Sequence, residues 1–180
     1  HTPQFPDLRT RDQLVVSGIL AGERVHFIVN HWPSRLGGEK QSSPKREAAA
    51  ALTKHLADSL LAADPDSKVI IMGDLNDDPS NRSCKTVLGA KKKQQEVQAG
   101  GYFNTMWEMF DKGIGTLAYN GSWNLFDQII ISRNLLGKDR STLKYIRSEV
   151  FNRDFLKQKE PELKKLNWDK EKKQIGRAHV

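Results

Sequence analysis

The chain has 180 residues, 37% of them apolar and 28% charged, with a net charge of +7 and an isoelectric point near 9.5. That length suits one domain with a real core, and no apolar run approaches the roughly 20 residues needed to span a bilayer. The positive balance fits a polyanionic partner, nucleic acid or an anionic lipid headgroup. Much of it, however, lies in Lys91–Lys93 and between Lys157 and Lys173, where solvated charge is the simpler reading. The single Cys84 excludes an internal disulfide and a cysteine metal centre.

Residues 1–11 are polar, proline-containing and irregular. Residues 13–20 and 24–31 are β-rich runs separated by Ala21-Gly22-Glu23, which predicts a hairpin. Residues 33–43 form a loop. Ser43 then reads as an N-cap with Pro44 in the first turn of a helix that runs to about Ala63. Its expected buried stripe is Leu52, Leu56, Ser59, Leu60 and Ala63, with Lys45, Arg46, Lys54 and Asp58 facing water. A strand follows at 68–72, and Asp78-Pro79 opens a second short helix through about Leu88. Residues 91–101 read as a surface loop or frayed helix. Residues 103–110 read as a helix whose apolar face is Phe103, Met106, Trp107 and Phe110. A hairpin is expected from Gly113, with Asn124 to Ser132 as its second strand, and another strand over 145–151.

Three of these strands end on, or contain, chemistry-bearing residues. Lys68-Val-Ile-Ile-Met-Gly-Asp-Leu-Asn-Asp-Asp-Pro79 is an apolar run, a glycine for a sharp turn, and then Asp74 and Asn76. Val25-His-Phe-Ile-Val-Asn-His-Trp-Pro33 delivers Asn30 and His31. Trp123-Asn-Leu-Phe-Asp-Gln-Ile-Ile-Ile131 carries Asp127 in an apolar run, where a carboxylate is costly without a partner or a metal. Polar groups at strand ends of an α/β sheet occupy the usual place of a ligand site. Read singly, His31 beside Trp32 serves equally well as a structural histidine, and Asp74 as a turn-capping acid. His26 and His55 have sufficient structural readings. Asp77 and Asp78 read as loop-shaping and capping residues, and Arg35, Lys40 and Lys45 as solvated loop charge.

Taken together, Arg11-Asp12, Asn30-His31 within Asn-His-Trp-Pro-Ser-Arg, Gly73-Asp74-Leu75-Asn76 and Phe126-Asp127-Gln128 resemble the endonuclease/exonuclease/phosphatase superfamily. The nearest likeness is to its deoxyribonuclease I-like, bacterial extracellular-endonuclease branch. Residues 11–156 fit the C-terminal portion of that domain, an α/β sandwich of two sheets. The resemblance implies a phosphodiester hydrolase using Mg²⁺, or alternatively Ca²⁺ or Mn²⁺. It assigns catalysis to His31, Asp74, Asn76 and Asp127, phosphate binding to Asn30 and Arg11, and metal contact to Asp74 and Asn76. The principal metal-binding glutamate and the closing Ser-Asp-His strand of the family have no counterpart here, so this chain by itself is expected to be an inactive part of an enzyme. Nucleic acid, DNA before RNA, is the expected substrate, and the complete protein is expected to be a monomer, secreted or periplasmic.

Two alternatives stay open: a phospholipid or inositol-phosphate hydrolase of the same fold, and a non-catalytic half-domain that binds polyanions. A half-sandwich is also expected to leave bare the sheet face that its missing strands would cover. Residues 157–180 read as a charged tail, and Gln174-Ile-Gly-Arg-Ala-His-Val180 resembles the conceptual translation of a sequencing adapter.

Overall fold

A computed structural model describes residues 11–119, 121–151, 153 and 155. The charged tail and residues 1–10 lie outside that range, as does the heptapeptide at 174–180. The described chain is α/β with two sheets. Five strands, β1 (Leu14–Leu20), β2 (Glu23–His31), β3 (Lys68–Asp74), β4 (Tyr102–Asn104) and β7 (Asp127–Ser132), form a mixed sheet in the order β1-β2-β3-β7-β4. Two short strands, β5 (Leu117–Tyr119) and β6 (Ser122–Asn124), pair by themselves as a second sheet.

The β1–β2 hairpin forms as its sequence predicts. Leu20 pairs with Glu23 across a two-residue turn, and Ala21 (φ 50°) and Gly22 (φ 81°) both lie in the left-handed region that matches strand twist. β2 and β3 are parallel and joined by α1 (Glu39–Ala63), so that α1 crosses one face of the sheet. The strand expected over 124–132 is instead two elements: β6 ends at Asn124, and β7 starts at Asp127 in the main sheet.

Helix α1 begins five residues earlier than its sequence suggests. Gly38 is the N-cap, Pro44 lies inside the helix, and the Ser42 hydroxyl donates to Gly38 O at 2.7 Å. Its buried face is also rotated from the expected one. Ser42, Arg46, Ala49, Ala50, Thr53 and Ala57 are buried, whereas Leu52 is 38% exposed. Small side chains let the helix sit close on Ile28, Val69, Ile71 and Ile130; Leu56 and Leu60 pack around the rim.

Phe103 does not belong to a helix. Tyr102–Asn104 pairs with β7 at the sheet edge, and only Trp107–Asp111 (α2) is helical. The phenyl ring of Phe103 packs with Ile131, Val97 and Leu135, and Tyr145 meets it edge-on at 5.7 Å. Residues 145–151 form no strand. The expected helix after Pro79 is reduced to one wide turn, in which Leu88 N donates to Ser83 O at 2.9 Å. Lys91, expected in a loop, forms a bridge to Phe103.

Away from α1 the sheet is partly bare. Every residue of β1 is exposed, Ile19 and Leu14 the most of its large apolar side chains at 64% and 58%, and Val29 of β2 is exposed beside them. Close by, buried His26 has the Ser17 hydroxyl 2.6 Å from its Nδ1. Burial, reinforced by Arg24, pulls its pKa below the ordinary value. The unfolded chain then binds the extra proton below about pH 6.5, so stability present above that pH is lost as pH falls. Urea unfolding midpoints of the full-length protein should therefore drop between pH 7.5 and 5.5, and drop less in His26→Gln. Equal drops would show that His26 contributes nothing to this dependence.

Candidate active site

Strand register puts three of the expected residues in one row. His31 pairs with Asp74 across the parallel β2–β3 ladder, and Asp74 pairs with Asp127 across the antiparallel β3–β7 ladder. His31 and Asp74 are the last residues of their strands and Asp127 is the first of its own, so all three stand at one edge of the sheet. His31 Nε2 lies 3.6 Å from Asp74 Oδ2. That is within reach of an ion pair but longer than a hydrogen bond. Asp127 is half-buried, and its neighbour Gln128 is a fully buried polar side chain of the same strand.

Gly73 makes the turn possible. Its φ is 128°, and a Cβ there would lie 2.0 Å from Asn30 O. Past the turn, Asp74 Oδ1 accepts from Asn76 N at 3.0 Å, and Asn76 adopts φ 51°. Asn76 Nδ2 donates to Trp32 O at 2.9 Å, which ties this turn to the end of β2. An amide carries a second N–H and a carbonyl oxygen beyond that bond, so Asn76 retains the chemistry to meet a phosphoryl oxygen or a cation.

Asn30, expected to bind phosphate, is turned inward. It is buried, its Nδ2 donates to Ile28 O at 2.9 Å, and its Oδ1 accepts from Trp32 Nε1 at 3.1 Å with the Thr53 hydroxyl at 3.0 Å. Those bonds hold α1 and Trp32 on the sheet. Arg11 is exposed just before β1, whose Leu14 pairs with Val29, so it enters at the same edge of the sheet as His31.

Sequence reasoning missed the layer beneath the row. Arg46, expected to face water, is fully buried with its Nε 2.7 Å from Asp77 Oδ1. Asp77 also accepts from the Ser83 hydroxyl at 2.7 Å. Asp78 Oδ1 accepts from Leu125 N at 2.7 Å, and burial raises its pKa above the usual carboxylate range. Gln128 Nε2 donates to Asp77 O at 2.6 Å, and Asn104 donates to Gln128 Oε1 at 2.7 Å. A signal existed, since two arginines and two adjacent aspartates in one 180-residue chain can neutralise one another, but partners 31 to 43 residues apart cannot be matched from spacing alone. Cys84 lies buried here, which pushes its thiol up to about 12, so no thiolate competes for a cation.

Among the described residues no three histidine, cysteine or acidic side chains converge as a metal centre. The oxygen donors at the row, Asp74 and Asn76, nonetheless suit Mg²⁺ in kind, because that ion binds through one or two carboxylates and keeps water and substrate phosphate as its other ligands.

An imidazole and two carboxylates, with an amide in the adjoining turn, thus stand at the strand ends of an α/β sheet, the usual place of a ligand site in such folds. The family model described as "Endonuclease/Exonuclease/phosphatase family" matches residues 1–170, and the chain belongs to that family. A search of the curated proteins by sequence found no match. Among solved structures, truncated TDP2 from Caenorhabditis elegans is 15% identical, with 67% of this chain and 45% of that one covered and a TM-score of 0.44. Sphingomyelinase C from Streptomyces griseocarneus is 17% identical over 67% of this chain and 41% of that one, TM-score 0.39. A beta-toxin variant from Staphylococcus aureus with bound magnesium ions is 18% identical, again over 67% and 41%, TM-score 0.39. The chain thus spans less than half the length of these proteins.

Proposed function

We propose that this chain supplies one half of the active site of a metal-dependent phosphodiester hydrolase acting on nucleic acid, by attack of water at phosphorus. The observation that carries this reading is the cross-strand row of His31, Asp74 and Asp127 at one sheet edge. The net charge of +7 favours a polyanionic substrate.

A phosphodiester repels a nucleophile, so the site must place donors on the nonbridging oxygens and a base on the water. Asp74 is the base: its carboxylate holds the water and takes up its proton. His31 donates to a nonbridging oxygen, with the Asp74 carboxylate 3.6 Å from its Nε2. The Asn76 amide restrains the same phosphoryl group. Asp127 orients the acid that protonates the leaving oxygen, a group supplied by another part of the enzyme. Mg²⁺ held by Asp74 and Asn76 would add positive charge against the phosphate.

The test is a substrate panel on the full-length protein: supercoiled plasmid, RNA, sphingomyelin vesicles and a phosphoinositide, each with Mg²⁺ and with EDTA. Mg²⁺-dependent cleavage of the nucleic acids is expected. Release of headgroup with intact plasmid would move the substrate to phospholipid, and no hydrolysis of any of the four would remove the reading. Plasmid binding that is salt-sensitive but indifferent to Mg²⁺, without cleavage, would establish a polyanion-binding module instead.

A further inference from the structure

Arg35, expected among the solvated loop charges, is the junction of the site. Its Nε donates to Asn76 O at 2.9 Å. Nη1 meets Glu39 at 3.1 Å, and Nη2 meets Asn81 at 3.1 Å and both Asp77 and Asp78 at 3.3 Å. The guanidinium carbon lies 4.5 Å from the centre of the Phe126 ring. Arg35 and these partners include residues just beyond the row on all three strands. Arg35 follows His31 by four residues, Asn76 follows Asp74 by two, and Phe126 immediately precedes Asp127. Leu75 N, between Asp74 and Asn76, also donates to Phe126 O at 2.8 Å.

Asn76 holds a left-handed backbone that a non-glycine residue keeps only when its surroundings enforce it. The Asp74 carboxylate enforces it from one side by accepting from Asn76 N, and Arg35 from the other by gripping Asn76 O. Slack at the second contact therefore turns the carboxylate at the first. Charge works in the same direction. Arg35 and Arg46 together face Asp77, Asp78 and Glu39; without Arg35, Asp77 keeps Arg46 while Asp78 loses its guanidinium and faces the adjacent carboxylate. A lysine could restore that charge but not three donor directions and a flat face for Phe126.

We infer that Arg35 is a positioning residue: its guanidinium sets the turn at 75–78 and thereby the aim of Asp74 and Asn76 at the reacting phosphate. This rests on the hydrolase reading above. The test is steady-state kinetics of the full-length protein and its Arg35→Lys and Arg35→Ala variants on the substrate the wild type cleaves, with added guanidinium ion as a rescue. The side chain is 22% exposed, which gives a small cation access to the vacated space. Turnover should fall on the order of ten- to a hundredfold in both variants while KM stays within about threefold, because misaim costs rate rather than binding. Guanidinium should restore part of kcat to Arg35→Ala, which a merely structural role would not allow. Arg35→Lys, the gentler change, decides the matter should Arg35→Ala not fold. Wild-type kcat in Arg35→Lys, or a loss confined to KM, would overturn the inference while leaving the hydrolase reading intact. A wild type that cleaves nothing would instead overturn that reading, and this inference with it.

Discussion

Asp74→Asn in the full-length protein should fold normally and lose on the order of a hundredfold or more in phosphodiester turnover, about 2.7 kcal/mol of barrier. The amide keeps an oxygen to accept from Asn76 N, so the turn after β3 survives. What disappears is the carboxylate that takes up a proton, 3.6 Å from His31 Nε2. His31→Ala should cost a comparable factor by removing a donor from the nonbridging oxygens, whose developing charge such donors stabilise most in the transition state. Plasmid nicking or headgroup release, measured with matched thermal melts, checks both. Turnover unchanged in both variants would show that the row plays no part in the chemistry. A loss in Asp74→Ala that Asp74→Asn does not share would assign Asp74 to the turn alone.

Gly73→Ala should be the most destabilising single methyl addition in the sheet, on the order of 3–5 kcal/mol. Two penalties coincide there. The backbone lies at φ 128°, where a side chain is strained, and the new Cβ would fall 2.0 Å from Asn30 O. Asn30 cannot withdraw, because β2 pairs with β3 along this register and its own amide anchors Trp32 and faces Thr53. For a domain of this size the melting temperature should drop by roughly 10 °C or more, read by calorimetry or circular dichroism. The same shift would displace Asp74, so activity should fall even at temperatures where the variant stays folded. A change below about 1 kcal/mol would mean that β2 and β3 can separate locally at little cost. Gly22 offers the control, since its φ of 81° is as unusual but open space surrounds it. Gly22→Ala carries the conformational penalty without the collision and should destabilise by about 1 kcal/mol.

What could be read from sequence follows from how far each signal reaches. The Val/Ile runs of β2 and β3 carry their own preference for extended backbone. Ala21-Gly22 encodes a two-residue turn, and Asp64-Pro65 stops α1 at Ala63, each through residues adjacent in the chain. Family membership was legible for the same reason: Asn-His-Trp-Pro-Ser-Arg and Gly-Asp-Leu-Asn are contiguous strings. Errors arose where a distant partner outweighed a local preference. Ser43-Pro44 is a good helix start in isolation, yet Gly38 caps α1, and Arg46 on its inner face reaches Asp77, 31 residues further along the chain. Leu52 is more apolar than Thr53, but Thr53 has Asn30 to bond and Leu52 has no facing strand, so hydrophobicity alone chose the wrong face. Phe103 fits a helical stripe until β7 offers it an unpaired edge.

By itself the sequence determined the family, the strand and helix order around β2, α1 and β3, and the residue types available for phosphodiester chemistry, since all of these rest on contiguous residues. Only the tertiary structure decided that His31, Asp74 and Asp127 stand in one row, that Asn30 turns inward, and that Arg35 grips the turn between them. Those outcomes depend on strand register and on charge pairs more than thirty residues apart in the chain. No local preference specifies such pairings; they follow from burial, which leaves Arg46 and Asp77 no water and so only protein partners, each other among them.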